Sequence, residues 1–212
     1  MNTASDLGER IYKNWSENTL PRRINVAGGH QRWPKITTVE HQLISLMMDP
    51  VYPGEYIVQA TEELVKASVG DFAGIDAKEL DKIHSYTVPH YSREQFYWWC
   101  ENYMRSYYDT NAWMATLKRS DLTIGARYHG VALALQTEKM GVTITIDSRT
   151  KELCEQTGVP NLSVDDIKQP ITRNYLKKLI NFDPINYDKH RSDRAKNYMS
   201  FLIDNELVPA DY

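Results

Sequence analysis

At 212 residues, with 42% hydrophobic and 25% charged residues, the chain is sized for one well-filled core or at most two small ones. A formal net charge of -3 argues against a nucleic-acid binder, which carries a basic surplus. No apolar run reaches membrane-span length and Met1 to Asp6 lacks a signal-peptide pattern, so the chain reads as cytoplasmic, with no integral membrane segment.

Taken in chain order, the pattern alternates strand and helix. Ser5 is placed to cap a first helix whose Leu7, Ile11 and Trp15 share one face. Pro21 closes that segment. Arg23 to Ala27 then reads as a strand ending in the turn Gly28-Gly29-His30. Thr37 to Met48 reads as a helix burying Val39, Leu43, Leu46 and Met47. After a loop marked by Pro50, Pro53 and Gly54, Tyr56 to Ala60 is a second strand, followed by a helix from Glu62 to Ala67. A short helix is expected over Asp76 to Leu80 and a third strand over His84 to Val88. Ser92 and Gln95 form a capping box that opens a helix predicted to run to about Lys118. Leu122 to Ala126 is the fourth strand. Val131 to Met140 reads as a helix stopped by Gly141 at its C′ position. Val142 to Ile146, with its β-branched run, is the fifth strand. Asp147 or Ser148 caps the next helix, which ends at Gly158. Two tail helices follow, near Thr172 to Ile180 and Tyr187 to Asn205.

Strands alternating with helices over short connections predict an α/β fold, a Rossmann-like parallel sheet with helices on both faces. One domain over residues 1–212 is the economical division, with a lead-in helix over 1–20 and a helical tail over 171–212. The two cysteines, Cys100 and Cys154, have neither metal nor redox spacing and read as reduced core thiols. The fourteen tyrosines and five tryptophans are better explained by a bulky core than by sugar-stacking surfaces.

The chemistry concentrates where the strand Leu122 to Ala126 runs into Arg127-Tyr128-His129-Gly130 and then into an Ala/Leu-rich helix. Helix amino ends expose unpaired N–H groups, and the guanidinium fork matches carboxylate and phosphate, so Arg127 and His129 mark a candidate anion pocket. The alternative is a surface salt bridge for Arg127 and a capping role for His129. Asp147 and Arg149 follow the next strand and face the same sheet edge, either as ligand contacts or as a structural pair. Gly28 and Gly29 follow the first strand and either line the same cleft or form an ordinary turn. No ligand cluster for a metal is present in the sequence.

From about Glu55 to Leu162 the sequence resembles the polysaccharide pyruvyl transferase family. The residues that carry the resemblance are Tyr56 to Gln59, Asp121 to Gly130 with its Gly125-x-Arg127-x-His129 core, Ala134-Leu135, Gly141-Val142, Ile146 to Leu153, and Gly158 to Pro160. The resemblance implies one half of a two-domain, glycosyltransferase-like (GT-B-like) fold. It implies transfer of pyruvate from phosphoenolpyruvate to a sugar of a cell-surface glycan, as in exopolysaccharide biosynthesis, with release of phosphate and no further cofactor. By that resemblance Arg127 and His129 are the catalytic pair, and Arg127, His129, Gly130, Asp147, Arg149, Gly28 and Gly29 line the substrate site. The partners implied are a small-molecule donor and a sugar or glycan-lipid acceptor. The family's amino-terminal half is not recognisable, so the expectation is a carboxyl-terminal half, its cleft completed by a missing N-terminal half or by a homo-oligomer. Two other classes stay open: half of a nucleotide-sugar glycosyltransferase, and a non-catalytic interaction module of the same fold.

Overall fold

The computed structural model describes residues 4–207; the first three residues of the 1–20 lead-in and the last five of the 171–212 tail lie outside the described residues. Its centre is one six-stranded, all-parallel sheet in the order β3-β2-β1-β4-β5-β6. The strands are β1 (Ile24–Ala27), β2 (Tyr56–Ile57), β3 (Met104–Arg105), β4 (Leu122–Gly125), β5 (Met140–Thr145) and β6 (Asn161–Ser163). The chain winds outward from β1 through β2 to β3, then returns to lay β4 on the other side of β1. That reversal creates a switch point between β1 and β4, and ligands of doubly wound sheets settle outside strand carboxyl ends at such points.

The helices are α1 (Leu7–Glu17), α2 (Thr37–Met47), α3 (Glu62–Ser68), α4 (Ala77–Thr87), α5 (Arg93–Tyr103), α6 (Thr110–Leu117), α7 (Tyr128–Gln136), α8 (Ser148–Thr157), α9 (Arg173–Leu179) and α10 (Pro184–Asp204). Alternation along β2 sorts them into layers. Tyr56 projects toward Trp99 of α5 and Glu40 of α2, whereas Ile57 packs with Leu117 of α6 and Ala134 of α7. Both faces of the sheet are thus covered, and every residue of β1, β4 and β5 is buried. No helix among the described residues is long and apolar enough to cross a membrane. Cys100 and Cys154 are both buried and unpaired.

Most of the expected elements are present, and the exceptions have local causes. His84 to Val88 is not a strand. Asp76 accepts from the amides of Lys78 and Glu79, and the helix it opens runs through Thr87, burying Leu80, Ile83, Tyr86 and Thr87 at helical spacing. The helix opened by the Ser92–Gln95 capping box does not reach Lys118. It stops at Tyr103, where Met104 and Arg105 add an edge strand to β2 and the Arg105 guanidinium bonds the carbonyls of Glu101, Asn102 and Met104. Asp109 then starts α6 by accepting from the amide of Ala112. Gly141 is no helix stop but part of β5, where a Cβ would come within 2.6 Å of the Val131 carbonyl. The turn after α7 is instead made by Glu138 at a positive φ of 64°. Leu46 is only half-buried, and its expected place in the core is taken by Ile44. The N-cap position of α1 is Asp6 rather than Ser5, without a side-chain capping bond. Strand β6 gave no periodic signal and was not expected.

Candidate functional site

Four strand ends meet at the carboxyl edge around the switch point, and each delivers polar side chains. After β1 comes Gly28-Gly29-His30, and after β2 comes Gln59. After β4 comes Arg127, which is the N-cap residue of α7. After β5 comes Asp147, the N-cap residue of α8.

Arg127 is the decisive residue. Its guanidinium lies 4.4 Å from the centroid of the Trp33 ring. It forms no hydrogen bond or ion pair among the described residues, and its Nε is buried without a partner. Burial lowers its pKa, but Arg stays protonated in proteins, so an unspent cation is held here.

Beneath it sits a carboxyl group that sequence reasoning missed. Glu40 of α2 is 1% exposed. Both its oxygens accept from the Gly29 amide, at 3.0 and 3.1 Å, and it also accepts from the hydroxyls of Tyr56 and Tyr86, the latter at 2.8 Å. Burial pushes the Glu40 carboxyl above its ordinary value, while Tyr56, Tyr86, Gly29 and the field of Arg127 pull it back. Arg127 and Glu40 are too far apart for an ion pair, so the guanidinium feels the carboxylate without being neutralised by it. The signal in the sequence was a lone acid at position 40 on a helix face otherwise made of Ile36, Leu43, Ile44 and Met47.

The same network explains Gly28 and Gly29. A Cβ at position 28 would lie 2.5 Å from the Tyr56 ring, and one at position 29 would lie 2.3 Å from the Tyr86 hydroxyl. Their amides are spent inside the protein, on the Ile57 carbonyl and on Glu40. The pair therefore makes room for the two tyrosines at this edge and offers no free N–H to a ligand.

Gly130 is likewise occupied. Its amide donates to Gln59 Oε1 at 3.0 Å, supplying the bond that Arg127 as N-cap does not make. The amides of Tyr128 and His129 remain as the open donors of the α7 end. The His129 side chain is exposed at that edge, its ring 5.9 Å from Tyr128. Asp147 is also exposed and accepts from the Thr150 amide at 2.7 Å, which holds its carboxyl below the usual value. Arg149 is exposed and makes no ion pair with Asp147, whose charge it feels only at a distance. The structure thus brings Arg127, His129, Gly28, Gly29 and Gly130 to one edge, and leaves Asp147 and Arg149 on its outer side, one strand away.

A family model described as polysaccharide pyruvyl transferase matches residues 43–148. The chain belongs to the polysaccharide pyruvyl transferase family. The matched stretch contains Tyr56, Gln59, Tyr86 and Arg127 to Gly130, whereas Gly28 to Trp33 and Glu40 precede it. No curated protein and no solved structure matches the chain.

A groove of about 870 Å³ lies between α7, the end of α8 and α10, reaching Tyr128 at the start of α7 and lined also by Ala132, Tyr187, Arg191 and Arg194 among others. Its arginines are engaged. Arg191 bonds the Ala4 carbonyl and Asp188, and Arg194 bonds the backbone and side chain of Gln156. By its volume this groove would be the site; its Lys189 is an exposed cation with no bond among the described residues, but the half-buried unspent cation is Arg127.

Proposed function

We propose that this pyruvyl transferase family chain binds phosphoenolpyruvate at the β1–β4 edge and takes part in its transfer, as a pyruvate ketal, to a sugar of a cell-surface glycan. The observation that carries the reading is Arg127: a half-buried guanidinium with no hydrogen-bond or ion-pair partner among the described residues, stacked on Trp33 at a helix amino end. Phosphoenolpyruvate is small and multiply charged, and a forked cation beside helix N–H groups is the donor set it requires.

The reaction balances as follows. The enol methylene takes a proton and becomes a methyl group, leaving C2 electron-deficient. One sugar hydroxyl adds to C2 and the C2–O bond to phosphate breaks. A second hydroxyl then closes the ketal, and of the two hydroxyl protons one accounts for the new methyl hydrogen and the other leaves with the phosphate. Arg127 would hold the donor's anionic groups and neutralise charge as phosphate departs. His129, exposed at the same helix end, presents an imidazole that can accept or donate a proton. No metal or further cofactor is needed for these steps.

Thermal-shift titration with phosphoenolpyruvate and, separately, with nucleotide diphosphate sugars tests the reading. Stabilisation by phosphoenolpyruvate supports it. Stabilisation by nucleotide sugars alone would favour a glycosyltransferase half, and stabilisation by neither would favour an interaction module.

A further inference from the structure

His30 carries a role that the residues named so far do not fill. Phosphoenolpyruvate has two anionic groups, a phosphate and a carboxylate, and a single guanidinium fork grips one of them. His30 follows the Gly28–Gly29 turn. Its ring lies 5.9 Å from the ring of Trp33, the same indole on which Arg127 rests. The turn is closed by the Trp33 amide donating to the His30 carbonyl at 2.8 Å. The Arg32 amide donates to His30 Nδ1 at 3.0 Å. That bond decides the tautomer: Nδ1 must be the acceptor, so the ring proton sits on Nε2. Nε2 makes no hydrogen bond among the described residues.

The electrostatics agree with a neutral donor. Burial lowers the His30 pKa, with repulsion from Arg127 and Arg32 adding to it, while the charges of Glu63 and Glu79 oppose the shift. Arg127 and Arg32 thus place two cations near a neutral imidazole, with no ion pair to either among the described residues, which favours an anion there.

We propose that His30 is a second substrate-binding residue, its Nε2–H donating to one anionic group of a small phosphate-and-carboxylate substrate while Arg127 grips the other. This rests on the reading that phosphoenolpyruvate binds at the β1–β4 edge. Its consequence is selectivity for a two-headed anion over inorganic phosphate or a simple carboxylate.

The test is calorimetric titration of wild type, His30→Ala, His30→Gln and Arg127→Ala with phosphoenolpyruvate, inorganic phosphate and pyruvate. His30→Ala should weaken phosphoenolpyruvate binding on the order of tenfold or more, as expected for losing a hydrogen bond to a charged group. It should weaken only one of the two single-headed probes, and Arg127→Ala should weaken the other. His30→Gln, which keeps an N–H donor, should recover part of the loss. Wild-type-like phosphoenolpyruvate affinity in His30→Ala would overturn the proposal, as would an even loss of all three probes. If wild type itself fails to bind phosphoenolpyruvate, the functional reading falls and this inference falls with it.

Discussion

Arginines occur both at the β1–β4 edge and along the groove beside α10, and the two regions use them differently. In the groove, Arg191 and Arg194 are tied to Asp188, to the Ala4 carbonyl and to Gln156, so the two arginines lining this space are spent on holding α10 in place. At the edge, Arg127 is stacked on Trp33 and has no hydrogen bond or ion pair among the described residues, while the buried carboxyl group of Glu40 is occupied by Gly29, Tyr56 and Tyr86. Unspent hydrogen-bonding capacity under partial burial is what separates Arg127 from the arginines of the groove.

The comparison can be broken or sharpened by substitution. The largest effect is expected at Glu40. Glu40→Ala strips the Gly29 amide and two tyrosine hydroxyls of their acceptor, and should destabilise the fold by about 3–5 kcal/mol in denaturant unfolding. The charge itself has the opposite sign of effect. Because the folded-state pKa is raised, Glu40 favours folding most when protonated, and that contribution fades as pH rises above about 4.5. A Glu40→Gln protein should therefore lose less melting temperature than wild type between acid and neutral pH.

Arg127→Ala comes next. Losing a forked contact to an anion costs about 2–5 kcal/mol, so phosphoenolpyruvate affinity should fall ~30- to several-thousand-fold with little change in stability. Arg194→Ala, at the groove, should leave that affinity unchanged, and a loss equal to that of Arg127→Ala would erase the distinction between the two regions. His129→Ala should reduce phosphate release about 100-fold with a competent acceptor, yet leave donor binding partly intact. The smallest effect belongs to Asp147→Ala: about 0.5–2 kcal/mol of stability from the lost α8 cap, and no change in phosphoenolpyruvate affinity. An affinity loss in that variant would instead make Asp147 a ligand contact.

The parallel sheet and its switch-point edge were legible because β1, β4 and β5 are short, mostly apolar runs, β4 and β5 followed at once by helix and β1 by a glycine turn. Arg127 and His129 were legible because a cation and an imidazole stand at one strand-to-helix junction. What could not be read was built from long-range partners. Glu40 is separated by 16 residues from Tyr56 and by 46 from Tyr86, and nothing local ties the three together. Gly28 and Gly29 signalled a turn, but their amides turn out to be spent and their lack of side chains serves the tyrosines. The edge strand β3 was hidden because the chain between Ser92 and Lys118 contains no glycine or proline, and the break is made by pairing with β2 and by Arg105. His84 to Val88 failed for the converse reason: a strand-like composition lies inside a helix capped eight residues earlier, at Asp76.

Arg127 is proposed to be an open anion receptor. Determining the structure with phosphoenolpyruvate bound tests this most directly. The predicted result is one anionic group within hydrogen-bonding distance of the Arg127 guanidinium and the other facing His30, with Glu40 still held by Gly29 and the two tyrosines. A donor lodged in the groove beside α10, or Arg127 turned inward to pair with Glu40 while the edge stays empty, would contradict it.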